Sequence, residues 1–252
     1  MGKKGPKRHL KRFPSPAFWP IHRKAYKFAV KPNPGPHPLD RCIPLLVIVR
    51  DILNYAETAR EARRIIKERK IKVDGKVRID HKFPVGLMDV IEIPDAKEYY
   101  RVLPHKQKGF ILHPITEEEA KFKLCRIEDK RTVKGGHIQL NLHDGRNHVI
   151  KISDPKKPVE DVFKTLDVLK ISIPEQDILD HIKFGENSLV MVIGGKNIGL
   201  VGKVLKVEKG FGRHRSIVTI ELPSKDIIKT SLLYVFTIGY EEPVISLPEG
   251  VL

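Results

Sequence analysis

The chain has 252 residues, 40% of them hydrophobic, and a formal net charge of +16, so it has apolar content enough for true cores and a charge that calls for a polyanionic partner. No apolar run approaches the roughly 18–20 residues a membrane span needs, and the N-terminus carries no hydrophobic signal segment, which leaves nucleic acid rather than a membrane surface as the expected partner. Cys42 and Cys125 lie far apart and outside any CxxC or His-rich context, which implies neither a metal site nor a disulfide framework and fits a reducing cytoplasm.

From Met1 to Pro38 there is no Asp or Glu, while Lys, Arg, Pro and isolated aromatics recur. The prolines forbid long helices and the apolar residues keep no period, so the segment is expected to be extended or disordered in isolation. Cations alternating with Phe13, Phe18, Trp19 and Tyr26 suit a tail that orders on RNA, with charges on phosphates and rings stacked on bases. A flexible solubilising tail is the plainer alternative.

Pro44 is placed to start a helix through Leu45, Leu46, Ile48, Val49, Ile52 and Leu53. A second helix follows at a capping box, with Thr58 at the cap and Glu61 three residues on. Its Arg60, Arg63, Arg64 and Lys67 share one face, and Ala59, Ala62, Ile65 and Ile66 lie on the other side. Asp74-Gly75 then supplies a type I′ turn between Ile71–Val73 and Lys76–Ile79. After a turn at Phe83–Gly86, Val90–Ile93 closes a small α+β unit near Pro94. A helix with one cationic face beside a basic hairpin is the pattern of an RNA-binding module; a solvated face with an ordinary hairpin is the competing reading.

Beyond Tyr100 the pattern turns to strands. A short capped helix at Thr116–Ala120 precedes a strand over Phe122–Ile127, and the alternation in His137–Leu142 and Asn147–Ile152 around Asp144-Gly145 predicts a hairpin with one buried face. His143, Asp144 and His148 crowd that hairpin, but Asp144 serves its turn, and residues across a tight turn need not converge on one metal. Further on, Leu189–Ile193, Leu200–Val207, Ser216–Leu222 and Leu232–Ile238 read as strands of a small barrel. Between them lies the basic, glycine-rich loop Lys209–Arg215, suited to bringing backbone N–H groups to phosphate. Gly194–Gly199 is not a nucleotide P-loop, because Leu200 and Val201 stand where Lys and Ser or Thr are required. Gly210–Arg215 has Arg215 where a dinucleotide fingerprint needs glycine. No nucleophile, His and carboxylate set appears, so the chain is not expected to be an enzyme.

Gly194–Gly202 resembles the KOW motif of ribosomal proteins and transcription elongation factors. Taken together, GPKRHLKR (Gly5–Arg12), PGPHPL (Pro34–Leu39), VDGKVRID (Val73–Asp80), FPVGLMDVIEI (Phe83–Ile93), LNLHDGRN (Leu140–Asn147) and GGKNIGLVGKV (Gly194–Val204) resemble, in this order, the archaeal and eukaryotic-type protein four family of the small ribosomal subunit. That resemblance implies an α+β, multidomain protein. A basic extended N-terminal segment (1–42) leads into a helix-hairpin RNA-binding domain (43–95), a central mostly-β domain (96–173) and a C-terminal SH3-like β-barrel with a KOW motif (174–252). It implies a structural, cofactor-free, ribosome-bound cytoplasmic protein that contacts small-subunit ribosomal RNA and neighbouring small-subunit ribosomal proteins, with no membrane and no small-molecule substrate. The RNA-contact candidates are Lys3, Lys4, Lys7, Arg8, Lys11, Arg12, Trp19, Arg23 and Lys24 in the N-terminal segment, then Arg60, Arg63, Arg64 and Lys67 on the helix. Lys72, Lys76 and Arg78 on the hairpin and Lys196, Arg213 and Arg215 in the later loops complete the set. Two alternatives stay open: an RNA-modifying enzyme with an accessory RNA-binding module, and a KOW-containing transcription elongation factor.

Overall fold

The computed structural model describes residues 7–154, 159–213 and 215–248. As the prolines dictate, the N-terminal segment has little regular structure: β1 (Leu10–Lys11) pairs with β2 (Phe28–Ala29), Leu10 opposite Ala29. It is not a free tail. Trp19 is only 3% exposed and its Nε1–H donates to the Cys42 carbonyl at 2.7 Å. Phe18 meets Phe110 edge-on with ring centroids 5.2 Å apart, and His37 is buried against Asp89. The expectation of a tail that orders only on RNA is corrected here. Aromatics without a period cannot build a core, but each of these inserts into a core that other residues build.

β3 (Cys42–Pro44) leads into α1 (Leu45–Val47), which starts at Pro44 as expected and widens into a π-helical turn over Ile48–Ile52. In that wider turn the Leu53 N–H reaches the Ile48 carbonyl at 2.9 Å. Asn54 ends it at φ 57°, in the left-handed region Asn enters more easily than most residues. α2 (Ala59–Lys67) begins at Thr58 with both arms of the capping box made: Glu61 N–H donates to Thr58 Oγ1 at 3.3 Å and Thr58 N–H to Glu61 Oε2 at 3.2 Å. Ala62 and Ile66 are wholly buried, and Ala59 and Ile65 pack at the edge of the same core, beside Leu45, Val49 and Trp19.

β4 (Lys72–Val73) and β5 (Lys76–Val77) flank Asp74 and Gly75, both at positive φ, as a type I′ turn requires. The predicted turn at Phe83–Gly86 is instead a strand, β6 (Pro84–Gly86), paired with β3. Pro84 is tolerated because it sits at the end of a two-stranded pair, where no further ladder bond is demanded of its nitrogen. β7 (Val90–Ile93) is followed by β8 (Glu98–His105) and β9 (Gly109–Pro114), and one sheet runs β5-β4-β7-β8-β9, so its ladder carries on past Pro94.

α3 (Glu117–Ala120) is capped by the Thr116 hydroxyl. A second sheet, in the order β12-β11-β10-β13-β14, is built from β10 (Phe122–Thr132), β11 (Ile138–Leu142), β12 (Asn147–Ile150), β13 (Val168–Ser172) and β14 (Ile178–Ile182). Ile138, Leu140 and Leu142 point inward, as their alternation predicts. A third antiparallel sheet comprises β15 (Leu189–Val192), β16 (Val201–Glu208), β17 (Ile217–Glu221), β18 (Ile227–Ser231) and β19 (Val235–Gly239), in the order β18-β17-β16-β15-β19. The strand expected over Leu232–Ile238 opens with a 3-10 turn at Leu232–Tyr234, and only its second part joins the sheet.

The three sheets share a core in which Met88, Leu103, Leu124, Val168, Met191 and Phe236 meet. A buried arginine stitches the same junction: Arg126 of β10 donates from Nη1 to the carbonyls of Leu233 (3.1 Å) and Val235 (2.6 Å), while its other side is held by Glu128.

Candidate nucleic-acid interface

The helix cap fixes where α2 starts, and the buried Ala62 and Ile66 fix how it is rotated. Together they put Arg60, Arg63, Arg64 and Lys67 in solvent on the opposite side. Arg64 spends part of its charge on Glu68, at 2.9 Å one turn on. Between the start of α2 and the N-terminal segment lies a cleft of about 550 Å³, where Arg8, Arg12 and Lys31 face Arg50, Arg63 and Lys82, with Tyr26 and Phe28 on its wall. Asp51, paired with Arg50 at 2.8 Å, and Glu57 also line the cleft, and cations outnumber carboxylates along it. Burial and then Arg63 hold the His81 imidazole below its usual pKa against an opposing pull from Asp80, with weaker help from Lys82 and Lys67. Phe13, Tyr26 and Phe28 stand exposed beside these cations.

The remaining candidates divide. Lys7, Arg8, Lys11, Lys24, Lys76, Lys196 and Arg215 are exposed, and Lys72 is half-buried with Glu92 at 3.8 Å. Lys3 and Lys4 lie outside the described residues. Others are held by partners within the protein: Trp19 and Arg12 are buried, and their reading as RNA contacts is corrected, while Arg23, Arg78 and Arg213 are half-buried. Trp19 is a core residue with no face left for a base. Arg12 is buried and donates to the carbonyls of His22 and Phe28. Arg23 donates to the carbonyls of Arg12, Phe13, Ser15 and Pro16, tying the loop between β1 and β2. Arg78 lies over the Phe83 ring at 4.2 Å. Arg213 is committed to Glu128, with Nη1 at 2.8 Å from Oε2. An arginine in a stretch without helical or strand period looks the same in sequence whether it neutralises a phosphate or satisfies a turn's carbonyls.

Beneath this surface is a cluster that sequence reasoning did not find. The Lys123 ammonium, wholly buried, sits 2.9 Å from Asp74 and 3.0 Å from Asp144 and also donates to Asp89. Arg146 reaches Asp74 at 2.6 Å and Asp144 at 3.2 Å, and the His37 ring lies 3.0 Å from Asp89. Backbone donors fill the remaining lone pairs: Val90 N–H bonds Asp74 at 3.0 Å and Gly86 N–H bonds Asp89 at 2.8 Å. Burial alone would raise the Asp144 carboxyl, but Lys123, His143 and Arg146 outweigh it and hold it well below the usual range. Asp89 is likewise held low by His37 and Lys123 against burial, while for Asp74 burial wins and the shift is upward. Lys123 moves well above its ordinary value because three carboxylates outweigh its desolvation. The cluster binds the N-terminal segment, the hairpin turn and the central sheet into one body. Its only trace in the sequence is that two of its carboxylates open Asp-Gly turns.

His143 occupies the neighbouring position. Its Nδ1 accepts the Arg126 N–H at 3.2 Å, its Nε2 faces the Leu87 carbonyl at 3.2 Å, and its ring meets Phe236 edge-on at 5.5 Å. An acceptor on one nitrogen and a carbonyl on the other require the neutral Nε2–H tautomer. Burial accordingly pushes its pKa down to about 4.

Three family models match the chain: residues 4–40 match the RS4NT (NUC023) domain, residues 43–91 the S4 domain, and residues 96–178 Ribosomal family S4e. Over 250 residues the chain is 63% identical to the small ribosomal subunit protein eS4 of Staphylothermus marinus, covering 99% of each chain. It is 53% identical to the protein of the same name from Methanocaldococcus jannaschii, covering 98% of this chain and 100% of the relative. The crystal structure of the 30S ribosomal protein S4e from Thermoplasma acidophilum superposes with a TM-score of 0.66 at 33% identity, covering 80% of this chain and 97% of that one.

Proposed function

The chain belongs to the S4e family of ribosomal proteins, and from that premise we propose that it is a structural constituent of the small ribosomal subunit that binds small-subunit ribosomal RNA. The observation that carries this reading is the cationic face of α2 continued across the cleft by Arg8, Lys31 and Lys82. Arg60, Arg63, Arg64 and Lys67 of that face, with exposed Lys7, Lys11, Lys24 and Lys76, half-buried Lys72, and Lys196 in a loop of the C-terminal sheet, bring ammonium and guanidinium groups to neutralise phosphates. Exposed Phe13, Tyr26 and Phe28 supply stacking faces for unpaired bases. Arg12, Arg23 and Trp19 act one step back, holding the N-terminal segment in place.

The work divides along the chain. The N-terminal segment and the helix-hairpin unit form the main RNA-binding part, the sheet of β10 to β14 joins it to the rest, and the sheet of β15 to β19 forms a KOW-type, SH3-like barrel whose Gly194–Gly199 loop carries Lys196; the boundaries expected at 95 and 173 each fall inside a sheet. The role is structural and not enzymatic, needs no cofactor, and places the protein in the cytoplasm on the ribosome beside other small-subunit proteins. Full-length similarity to small-subunit proteins leaves the RNA-modifying enzyme and the elongation factor without support.

Sedimentation of tagged protein from cell extract, followed by crosslink mapping of bound RNA, tests the reading. Co-migration with small subunits is expected. For the purified protein, neutralising about 6–10 phosphates lowers affinity for small-subunit RNA by roughly 10³–10⁵ between 50 and 200 mM salt. A flat salt titration would overturn it.

A further inference from the structure

Phe211 is 91% exposed at the tip of the loop that joins β16 to β17, and among the described residues it has no ring partner. A single exposed apolar side chain is ordinary in itself. What is not ordinary is the brace beneath this one. Ser216, buried at the base of the loop, accepts the Gly210 N–H at 3.1 Å and donates through Oγ to the Gly212 carbonyl at 2.9 Å, and its N–H bonds the same carbonyl at 3.2 Å. Gly212 holds φ 80°, where a side chain would be strained. Arg213 anchors the far side to Glu128 on β10, and Ser231 donates to the Arg213 carbonyl at 3.3 Å. These bonds hold the turn on both sides of the tip, and Phe211 is turned outward near exposed Lys209 and Arg215.

An aromatic ring on a braced turn, flanked by two exposed cations, has the composition of a single-strand nucleic-acid platform: charges track the backbone and the ring takes a base. An apolar protein partner would not call for the flanking cations. We infer that Phe211 is a stacking site for an unpaired base of ribosomal RNA, with Lys209 and Arg215 on the adjoining phosphates. This inference rests on the RNA-binding reading above and adds to it a contact on the C-terminal sheet, outside the α2 surface.

The test is a binding titration of the full chain on small-subunit RNA, comparing Phe211→Ala, Phe211→Leu and Phe211→Trp with the parent. Loss of one stacked base corresponds to roughly 5- to 150-fold weaker binding. That loss is expected for Ala and Leu alike, because stacking needs a π-face, while Trp binds at least as tightly as Phe. The salt dependence of binding stays that of the parent, since no cation is removed. Thermal midpoints stay unchanged, because the ring is 91% exposed and buries almost no surface of its own.

Unchanged RNA affinity in Phe211→Ala overturns the inference. So does full recovery in Phe211→Leu, which would point to an apolar socket on a neighbouring protein. A lowered thermal midpoint in Phe211→Ala also overturns it, as that would make the ring structural. If the parent itself fails to bind the RNA, the broader reading falls instead, so the two failures are distinguishable.

Discussion

Asp74 and Asp144 each open an Asp-Gly turn, one in the helix-hairpin unit and one in the central sheet, and both hold the same ammonium: Lys123 Nζ lies 2.9 Å from the first and 3.0 Å from the second. The two turns therefore face one another across a single buried cation, and the junction between the units is ionic at its centre and apolar around it.

Lys123→Met is expected to destabilise the protein severely, because it removes the one ammonium that contacts all three buried carboxylates and leaves Arg146 as the remaining guanidinium on two of them. Breaking such a buried network costs about 3–5 kcal/mol, which for a chain of this size lowers the thermal midpoint by roughly 10 °C. A melt superimposable on the parent's would show that the cluster does not stabilise the junction.

Stability should also fall on mild acidification through His143. Its folded pKa, about 4, lies below the ordinary imidazole value of 6.5, so the unfolded chain binds the extra proton first. Its contribution is therefore complete above about pH 6.5 and is lost as pH falls toward 4, by about 3 kcal/mol over the window. His81 and His113, also shifted down mainly by burial, act with the same sign. Urea midpoints at pH 7 and pH 4.5 for the parent and His143→Gln isolate the effect: the variant should be less stable at pH 7 and lose less on acidification. Equal slopes for the two proteins would exclude His143 as the source.

Changing Arg60, Arg64 and Lys67 together to Glu should weaken binding to small-subunit RNA and flatten its salt dependence, since about three phosphate contacts are lost. All three side chains are in solvent, so the thermal midpoint should stay within a few degrees. Collapse of folding instead would make this face structural.

Trp19 is the chain's sole tryptophan, so its fluorescence reports directly on docking of the N-terminal segment. In the parent its emission should be that of a buried indole. Trp19→Ala is expected to cost about 3–5 kcal/mol of packing, and trypsin should then cut early between Lys7 and Arg41 while the sheets resist. Uniform loss of protection along the whole chain would argue against a locally released segment.

Local rules read α2, its cap, both Asp-Gly turns and the β11–β12 hairpin correctly, because each is determined within a dozen residues: a cap needs Thr58 and Glu61, a hairpin needs its turn and its alternation. What the sequence did not disclose depends on distant partners. β13, β14 and β18 form where neighbouring strands receive them, and Pro84 reads as a turn until β3 is seen beside it. The cationic face of α2 was legible from the helical period. The inward turn of Arg12, Arg23 and Arg213 was not, since it depends on which carbonyl or carboxylate the fold brings near.

The docking of Trp19 beneath the Cys42 carbonyl and of His37 on Asp89 has a consequence for synthesis of the chain. Residues 7–40 leave the exit tunnel before the residues they dock on, and Asp89 follows only after α2 and the hairpin have emerged. During translation this strongly basic stretch has only its own short β1–β2 pair and the Arg12 and Arg23 hydrogen bonds to hold it, and it becomes fixed to the body only when later residues arrive. A stretch made before the residues it docks on is thus anchored only after them.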